Sequence, residues 1–492
     1  MTHNGVVAAG GRLTDWISLG VLASSVPRDA VDEAIAVAGK GAKRSDGKLP
    51  PHVMVYFAMA LALFAEEDYE EVATRLTETL ASWGCWDDSW SMPTSGGITQ
   101  ARQRLGPEPL ELLFDKVAEP VAGELTRGAF LRHWRLMAID GFELDVPDTP
   151  ANAAAFGYPA GAREHPAFPK VRVVTIGECG SHAKIAAQLG PVGGKGTCEQ
   201  ALARRLYPRL EQDWLLIADR GFYNWPDWQA ATATGAELLW RVKADLRLPV
   251  LDLLPDGSYL SLVARPALHD KARNKLIAAA RAGEHLDPAQ AMRVRVIEYE
   301  IPDRDGDGSG ELIALITTIT DPAAASAQEL AEAYCQRWEE ETGNNQIKTC
   351  LRGPGQVLRS KSPAMIRQEI YGYLLAHYAI SALICRAATE ADIDPDRVKF
   401  LRTVRIIRRR AADPAFPPDQ QQRSLAAVLA DITSPRNLNP CRRHRSYPRV
   451  IRRARHNSYR VKRPADTGTR HHSPPTVWLV NLRPQTVMIN LA

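Results

Sequence analysis

Between Arg132 and Val242 the chain carries four short apolar runs beside Gly or acidic residues: RLMAIDG, VRVVTIGE, WLLIADRG and ELLWRV. Each has the length and composition of a strand. Helical stretches separate several of them, with CEQALARRLYPRLEQ before WLLIAD and WPDWQAATATG after it. Strands alternating with helices point to an α/β sheet, because each element has an apolar face that the other must cover.

The flanks have a different texture. Residues 12 to about 125 read as helical, since PRDAVDEAIAVAGK, the run Val53 to Ala65 and YEEVATRLTETLASWG repeat apolar residues every three or four positions. PTSGGITQARQRLGPEPLELLF follows, either as a helix-turn-helix-like DNA-binding element or as part of a plain helical bundle. Residues 244–310 are rich in β-type residues (LRLPVLDLL, YLSLVAR, MRVRVIEYEI) and read as a mainly β insertion. A helical segment resumes at Ala323 and runs past Gln346, and another spans 365–388 and looks buried. The expected organisation is a helical domain over 1–125, a catalytic core over 126–243 and 311–390, the insertion over 244–310, and a helical, basic region over 391–492.

Hydrophobic residues make up 45% of the 492-residue chain and charged residues 24%, so wholesale disorder, collagen and coiled-coil rods are unlikely readings. Seven dispersed cysteines with no Cys-x-x-Cys pair argue against a disulfide framework or a zinc ribbon. The N-terminus lacks a basic start followed by an apolar run, and the run Val53 to Ala65 is too short to span a bilayer. A cytoplasmic protein with no membrane partner is expected.

The net charge of +4 hides a gradient. From Arg397 to Arg463 there are 19 Lys and Arg against three acids, Asp413, Asp419 and Asp431. Tyr447 and Tyr459 are interleaved with the basic residues. A polyanion, nucleic acid above all, is the natural partner of such a stretch, although a solvated basic tail has the same composition.

Two familiar loops fail. DRDGDGSGE at 303–311 begins like a calcium loop, but its twelfth position is Ala314 in place of the bidentate Glu. GPVGGKGT at 190–197 lacks the first glycine and the hydroxyl residue of a phosphate loop.

Asp140 in LMAIDGFELD and Asp219 in LLIADRGFYNW each follow an apolar run. Such a strand delivers its C-terminal side chain to a fixed place at the sheet edge, where loops build sites. A third element, YCQRWEEETGNNQIK over 334–348, reads as a helix. Taking Tyr334 as zero and about 100° per residue, Arg337 falls near −60°, Glu341 near −20° and Lys348 near −40°. One face would carry an aromatic, two cations and a carboxylate. Glu339 and Glu340 are also acidic, so geometry must choose among the three. Carboxylates from two strands and one helix suit Mg²⁺ or Mn²⁺, and two such ions serve phosphodiester chemistry.

The spacing Tyr334-(2)-Arg337-(3)-Glu341-(6)-Lys348 resembles the signature of the insertion-sequence-four family of bacterial DDE transposases. The segments DGFELDVPDTPANAAAFG and ADRGF, and QARQRLG in the helical N-terminal part, also resemble that family's blocks. The resemblance runs from about residue 12 to residue 390. It implies an RNase H-like core interrupted by a β insertion between Asp219 and Glu341. It implies that Asp140, Asp219 and Glu341 hold two Mg²⁺ or Mn²⁺ ions and are catalytic. Tyr334, Arg337 and Lys348 would contact DNA near the cleaved end, with Arg241 and Lys243 as further phosphate contacts. Some relatives stack a flipped base on a Trp shortly before the final catalytic helix, whereas ELIALITT at 311–318 has no aromatic residue. Trp225, Trp228 and Trp240 are expected to be packing residues.

The expected activity is cut-and-paste transposition of the element that encodes the chain. Its partners would be the double-stranded inverted-repeat ends and target DNA, bound by a homodimer in the nucleoid. A transposase-derived DNA-binding protein without catalysis, and a metal-dependent nuclease without strand transfer, are the alternatives.

Overall fold

The computed structural model describes residues 17–43, 48–78, 91–159, 166–194, 196–243, 245–301, 311–411, 418–441 and 478–479, together with Thr14 and Asp413. The Gly/Asp-rich segment at 303–310 and the basic run beyond Cys441, with Tyr447 and Tyr459, lie outside the described residues.

In chain order the helices are α1 (Arg28–Val37), α2 (Pro51–Leu63), α3 (Tyr69–Thr77), α4 (Ser95–Leu105), α5 (Glu108–Val117), α6 (Pro150–Phe156), α7 (Glu199–Ala203) and α8 (Trp225–Thr232). They continue as α9 (Asp270–Arg281), α10 (Ala327–Tyr334), α11 (Arg337–Asn345), α12 (Pro363–Glu390), α13 (Phe400–Arg408) and α14 (Pro418–Ile432). The strands are β1 (Phe130–Leu131), β2 (Trp134–Asp145), β3 (Lys170–Glu178), β4 (Lys184–Pro191), β5 (Trp214–Ala218), β6 (Glu237–Val242), β7 (Asp252–Leu253), β8 (Tyr259–Ala264), β9 (Ala291–Ile301) and β10 (Glu311–Thr317). No disulfide forms among the described cysteines. The chain divides into two compact units, the first of residues 1–129, 141–202 and 339–440, the second of residues 130–140, 203–338 and 441–492.

The first unit is mainly helical. Asp68 and Thr94 cap α3 and α4 by accepting from Glu71 N and Gly97 N, which satisfies backbone donors that a helix start leaves open. Helix α2 is apolar all round and buried on every side, as such a composition requires. It packs against α12, where a Cβ on Gly372 would overlap the Ala58 carbonyl, so only glycine permits this approach. Helix α12 is long and apolar enough to cross a membrane, yet 89% of its apolar window is buried within the protein. Arg102, in the QARQRLG block, is only 2% exposed and donates to Gln368 Oε1 (2.9 Å) and Ser360 Oγ (3.2 Å). This arginine is therefore a tie within a helical bundle and not a base-reading residue. The antiparallel pair β3–β4 lies in the same unit.

The second unit holds a mixed sheet. Residues 135–139 of β2 run parallel to β5, and β5 runs parallel to β6. Beyond β6 the pairing turns antiparallel through β10, β9, β8 and β7. Trp228 and Trp240 are fully buried and meet edge to face, with centroids 5.4 Å apart, as packing residues do. The segment read as mainly β contains β7, β8 and β9, and also the twelve-residue helix α9. A buried arginine of this segment, Arg295, donates to the Ala325 carbonyl (2.6 Å) and pairs with Asp256. Asp256 also accepts from Ala327 N at the start of α10 (2.7 Å). Ser326 and Glu329 complete a capping box there. The insertion thereby fixes the helix that carries Tyr334.

Candidate active site

Register decides which side chains meet at the sheet. Ile139 pairs with Ala218, and Ala218 pairs with Trp240. The next residue on each strand is Asp140, Asp219 and Arg241, so three functional candidates follow three consecutive parallel partners. Asp140 and Asp219 are both half-buried. One expectation needs correction: Asp140 does not end its strand. Strand β2 continues to Asp145, because β5 stops at Ala218 while β2 finds a new partner in β3. A site carboxylate is thus held mid-strand, where the backbone on either side is restrained.

Tyr334, at the end of α10, brings its hydroxyl 3.4 Å from Asp219 Oδ1. Burial raises the Tyr334 pKa, the Asp219 charge adds to the rise, and the nearby Arg337 and Arg241 charges oppose it. Tyr334 therefore stays a neutral hydroxyl that can donate to Asp219. The Arg337 guanidinium lies 4.9 Å from the centroid of the Trp338 ring, and this Trp is 49% exposed. The second unit thus brings together Asp140, Asp219, Arg241, Tyr334 and Arg337. Lys243 is exposed, one residue beyond β6.

The segment from Tyr334 to Lys348 is not one helix. Helix α10 ends at Tyr334, a turn at Cys335–Gln336 intervenes, and α11 starts at Arg337. Lys348 lies in a π-helical turn, Gln346–Leu351. An angular wheel counted from Tyr334 fails for that reason: the turn resets the axis, and an i→i+5 turn holds more residues than 3.6. Glu341 and Lys348, both half-buried, belong to the first unit.

Within that unit, geometry separates the three consecutive glutamates of α11. Glu340 is buried and its Oε1 accepts from Lys184 Nζ (2.7 Å) and Thr175 Oγ1 (2.6 Å). Glu339 Oε2 lies 2.9 Å from His182 Nε2, which also lies 3.0 Å from Asp396 Oδ1. Burial works against charging His182, but the hydrogen bonds it donates to Asp396 and Glu339, with the charges of those carboxylates, outweigh it and bring the pKa up to about 9. The side-chain amide of Gln346 bridges His182 Nδ1 (3.1 Å) and His377 Nε2 (2.9 Å). His377 is held well below its ordinary pKa by burial and by the Lys184 and His182 charges, and as a neutral ring donates from Nε2 to the Gln346 amide oxygen.

Two groups could hold a metal ion. Asp140 and Asp219 each follow a paired residue of adjacent parallel strands, and carboxylate oxygens are donors of the kind that fit Mg²⁺ or Mn²⁺. His182, Glu339 and Asp396 bring one ligand atom each within 4.8 Å of one another. In the second group the imidazolium already supplies the positive charge that the carboxylates require. His182, Lys184 and Asp396 were missed in the sequence, where a lysine at the start of the apolar strand KIAAQLGP gives no sign of a partner 156 residues away.

The basic surface is partly described. Helix α13 buries Phe400, Val404 and Ile407 and exposes Arg402 and Arg405. With Arg409, Asp431 and Arg436 they line a hollow of about 410 Å³.

Comparison with known proteins identifies the family. Residues 16–115 match the insertion element 4 transposase N-terminal family, and residues 135–379 match the transposase DDE domain. The chain is 26% identical over 427 residues to the Escherichia coli K12 transposase InsG of insertion sequence element IS4, covering 82% of this chain and 86% of that one. The chain belongs to the insertion-sequence-four family of DDE transposases. A shorter match, 29% identical over 128 residues, covers 26% of this chain and 42% of the putative transposase InsZ of the same organism. A solved piggyBac transposase synaptic complex with hairpin DNA aligns with a TM-score of 0.41 at 10% identity, over 85% of this chain and 87% of that one, a likeness too slight to bear on function. The mixed α/β fold with a large sheet fits the RNase H-like core of such enzymes. This family member is an enzyme of DNA transposition, and its DDE domain implies dependence on divalent metal.

Proposed function

We propose that Asp140, Asp219 and Glu341 are the metal-binding carboxylates of this transposase. We further assign Tyr334, Arg337, Lys348, Arg241 and Lys243 to the DNA beside them. The observation that carries this reading is the register Ile139↔Ala218, with Asp140 and Asp219 next on adjacent strands. The Tyr334 contact to Asp219 supports it. So does the place of Glu341 in the Tyr334-Arg337-Glu341-Lys348 series, next to Glu339 and Glu340, which face His182 and Lys184.

Bound Mg²⁺ or Mn²⁺ would supply Lewis-acid charge for in-line displacement at phosphorus. Asp140 and Asp219 provide hard oxygen ligands from a sheet that does not have to rearrange. Tyr334 orients Asp219, and Arg241 and Arg337 place positive charge where a scissile phosphate would lie. In the first step water displaces the 3′ oxygen at each element end and leaves a 3′-hydroxyl. In the second step that hydroxyl attacks a target phosphodiester and displaces its 3′ oxygen. Two ends require two active sites, so the working form is a homodimer on the inverted repeats and target DNA of the nucleoid. The helical region 1–125 reads the ends, and the arginines around Asp431 hold backbone phosphates. Strand β10 supplies no aromatic side chain for a flipped base.

The test is a plasmid carrying the gene with its flanking DNA, incubated with purified protein and Mg²⁺. The parent chain is expected to cut at imperfect inverted repeats bordering the gene. D219N should bind the same fragments without cutting them. Undiminished cleavage by D219N would refute the assignment.

A further inference from the structure

We propose that the β3–β4 hairpin is a two-point clamp that sets the rotation of α11, with Lys184 acting through Glu340 and His182 through Glu339 as positioning residues for Glu341. The inference rests on the reading of Glu341 as a metal ligand. Successive helical residues are rotated by about 100°, so fixing the directions of two neighbouring side chains fixes the third.

The first grip is built into the backbone. Lys184 Nζ reaches both the Glu340 carboxylate (2.7 Å) and the Glu340 carbonyl oxygen (3.2 Å). It therefore holds side chain and helix backbone together. Both side chains are sealed from solvent, at 0% and 1% exposure. Space for them comes from two glycines. A Cβ on Gly177, the strand partner of Lys184 across an irregularity in the register, would overlap Glu340 Oε2. A Cβ on Gly343, inside α11, would stand 2.9 Å from Lys184 Nζ. Glycine is a poor helix residue, and here its absent side chain is the room that the lysine occupies.

The second grip is His182. It lies in the turn between β3 and β4 with φ of +62°, a region non-glycine residues seldom adopt. From there it holds Glu339 of α11 and Asp396 of the 3₁₀ turn Pro395–Arg397 that follows α12. The helix is thus tied to the hairpin and to the 3₁₀ turn that follows α12. A buried ion pair adds little stability over well-packed apolar residues, and its best-attested use is to fix register. Two such contacts on consecutive residues, directly before Glu341, match that use.

The experiment uses the full chain and the plasmid substrate above. K184M/E340L replaces the ion pair by apolar volume, and G343A pushes against the lysine while improving helix propensity. Thermal unfolding and DNA binding are measured beside the cleavage rate, and cleavage is titrated with Mg²⁺. Both variants are expected to fold and to bind DNA as the parent does. Their maximal cleavage rate should fall about tenfold or more, and the Mg²⁺ concentration for half-maximal rate should rise. If both variants retain the parental rate and Mg²⁺ dependence, the clamp is overturned. If K184M/E340L does not fold, G343A alone decides. E341Q is the control for the underlying reading: an active E341Q refutes the ligand assignment and the clamp with it. An inactive E341Q beside parental K184M/E340L and G343A refutes the clamp alone.

Discussion

Two groups of acids in this transposase have opposite surroundings. Asp140 and Asp219 sit side by side at half-buried positions of the second unit, with the neutral Tyr334 hydroxyl against Asp219. Glu339, Glu340 and Asp396 of the first unit are matched to Lys184 and His182 at ion-pair distance. A carboxylate whose charge is already compensated by a buried cation has little left for a metal ion. The contrast teaches that a carboxylate's role follows from the charge its neighbours supply.

The largest expected effect tests the first group. D219N should lower the rate of strand cleavage by about a thousandfold or more, the consequence of losing several kcal/mol of metal-borne charge stabilisation. DNA binding, followed by gel shift, should persist. A loss of binding in parallel with cleavage would mean that Asp219 has a structural role like that of Glu340.

K184M tests the second group. Alone it leaves Glu340 buried without its cation and should destabilise the fold by about 3–5 kcal/mol, whereas K184M/E340L should be near neutral. Denaturant titration of the two variants gives the comparison directly. Equal losses would show that Lys184 stabilises by packing and not by charge.

A pH series sharpens the contrast further. The His182 pKa rises from 6.5 to about 9 in the folded state. Its contribution to stability is therefore complete below pH 6.5 and fades as pH rises through 9. The amount is on the order of 3 kcal/mol. H182Q should flatten the stability curve between these values. A parental curve that is already flat there would mean that His182 is neutral in the fold.

The smallest effect concerns the arginine surface. Arg402 and Arg405 are exposed on α13. If both contact phosphates, R402A/R405A should reduce the slope of log binding against log salt by about 2. An unchanged slope would assign DNA contact to other parts of the basic region.

Much of the fold could be read in advance. The runs RLMAIDG, VRVVTIGE, WLLIADRG and ELLWRV are β2, β3, β5 and β6, and the apolar stretch after Pro51 is a buried helix. Strand β4 was not read, since KIAAQLGP begins with a charged residue whose burial depends on Glu340. The segment 334–348 read as one helix because its composition is helical throughout, while the turn at Cys335–Gln336 has no proline or glycine to announce it.

The sequence by itself determined the chemistry on offer: two acids at apolar strands, an ordered Tyr-Arg-Glu-Lys series and a basic C-terminal stretch. These are local patterns, set by side-chain period and residue type. Only the tertiary structure decided which acids are spent on internal ion pairs. That choice depends on Lys184 and His182 reaching α11 from a hairpin more than 150 residues earlier, and no local pattern encodes a distance across such a span.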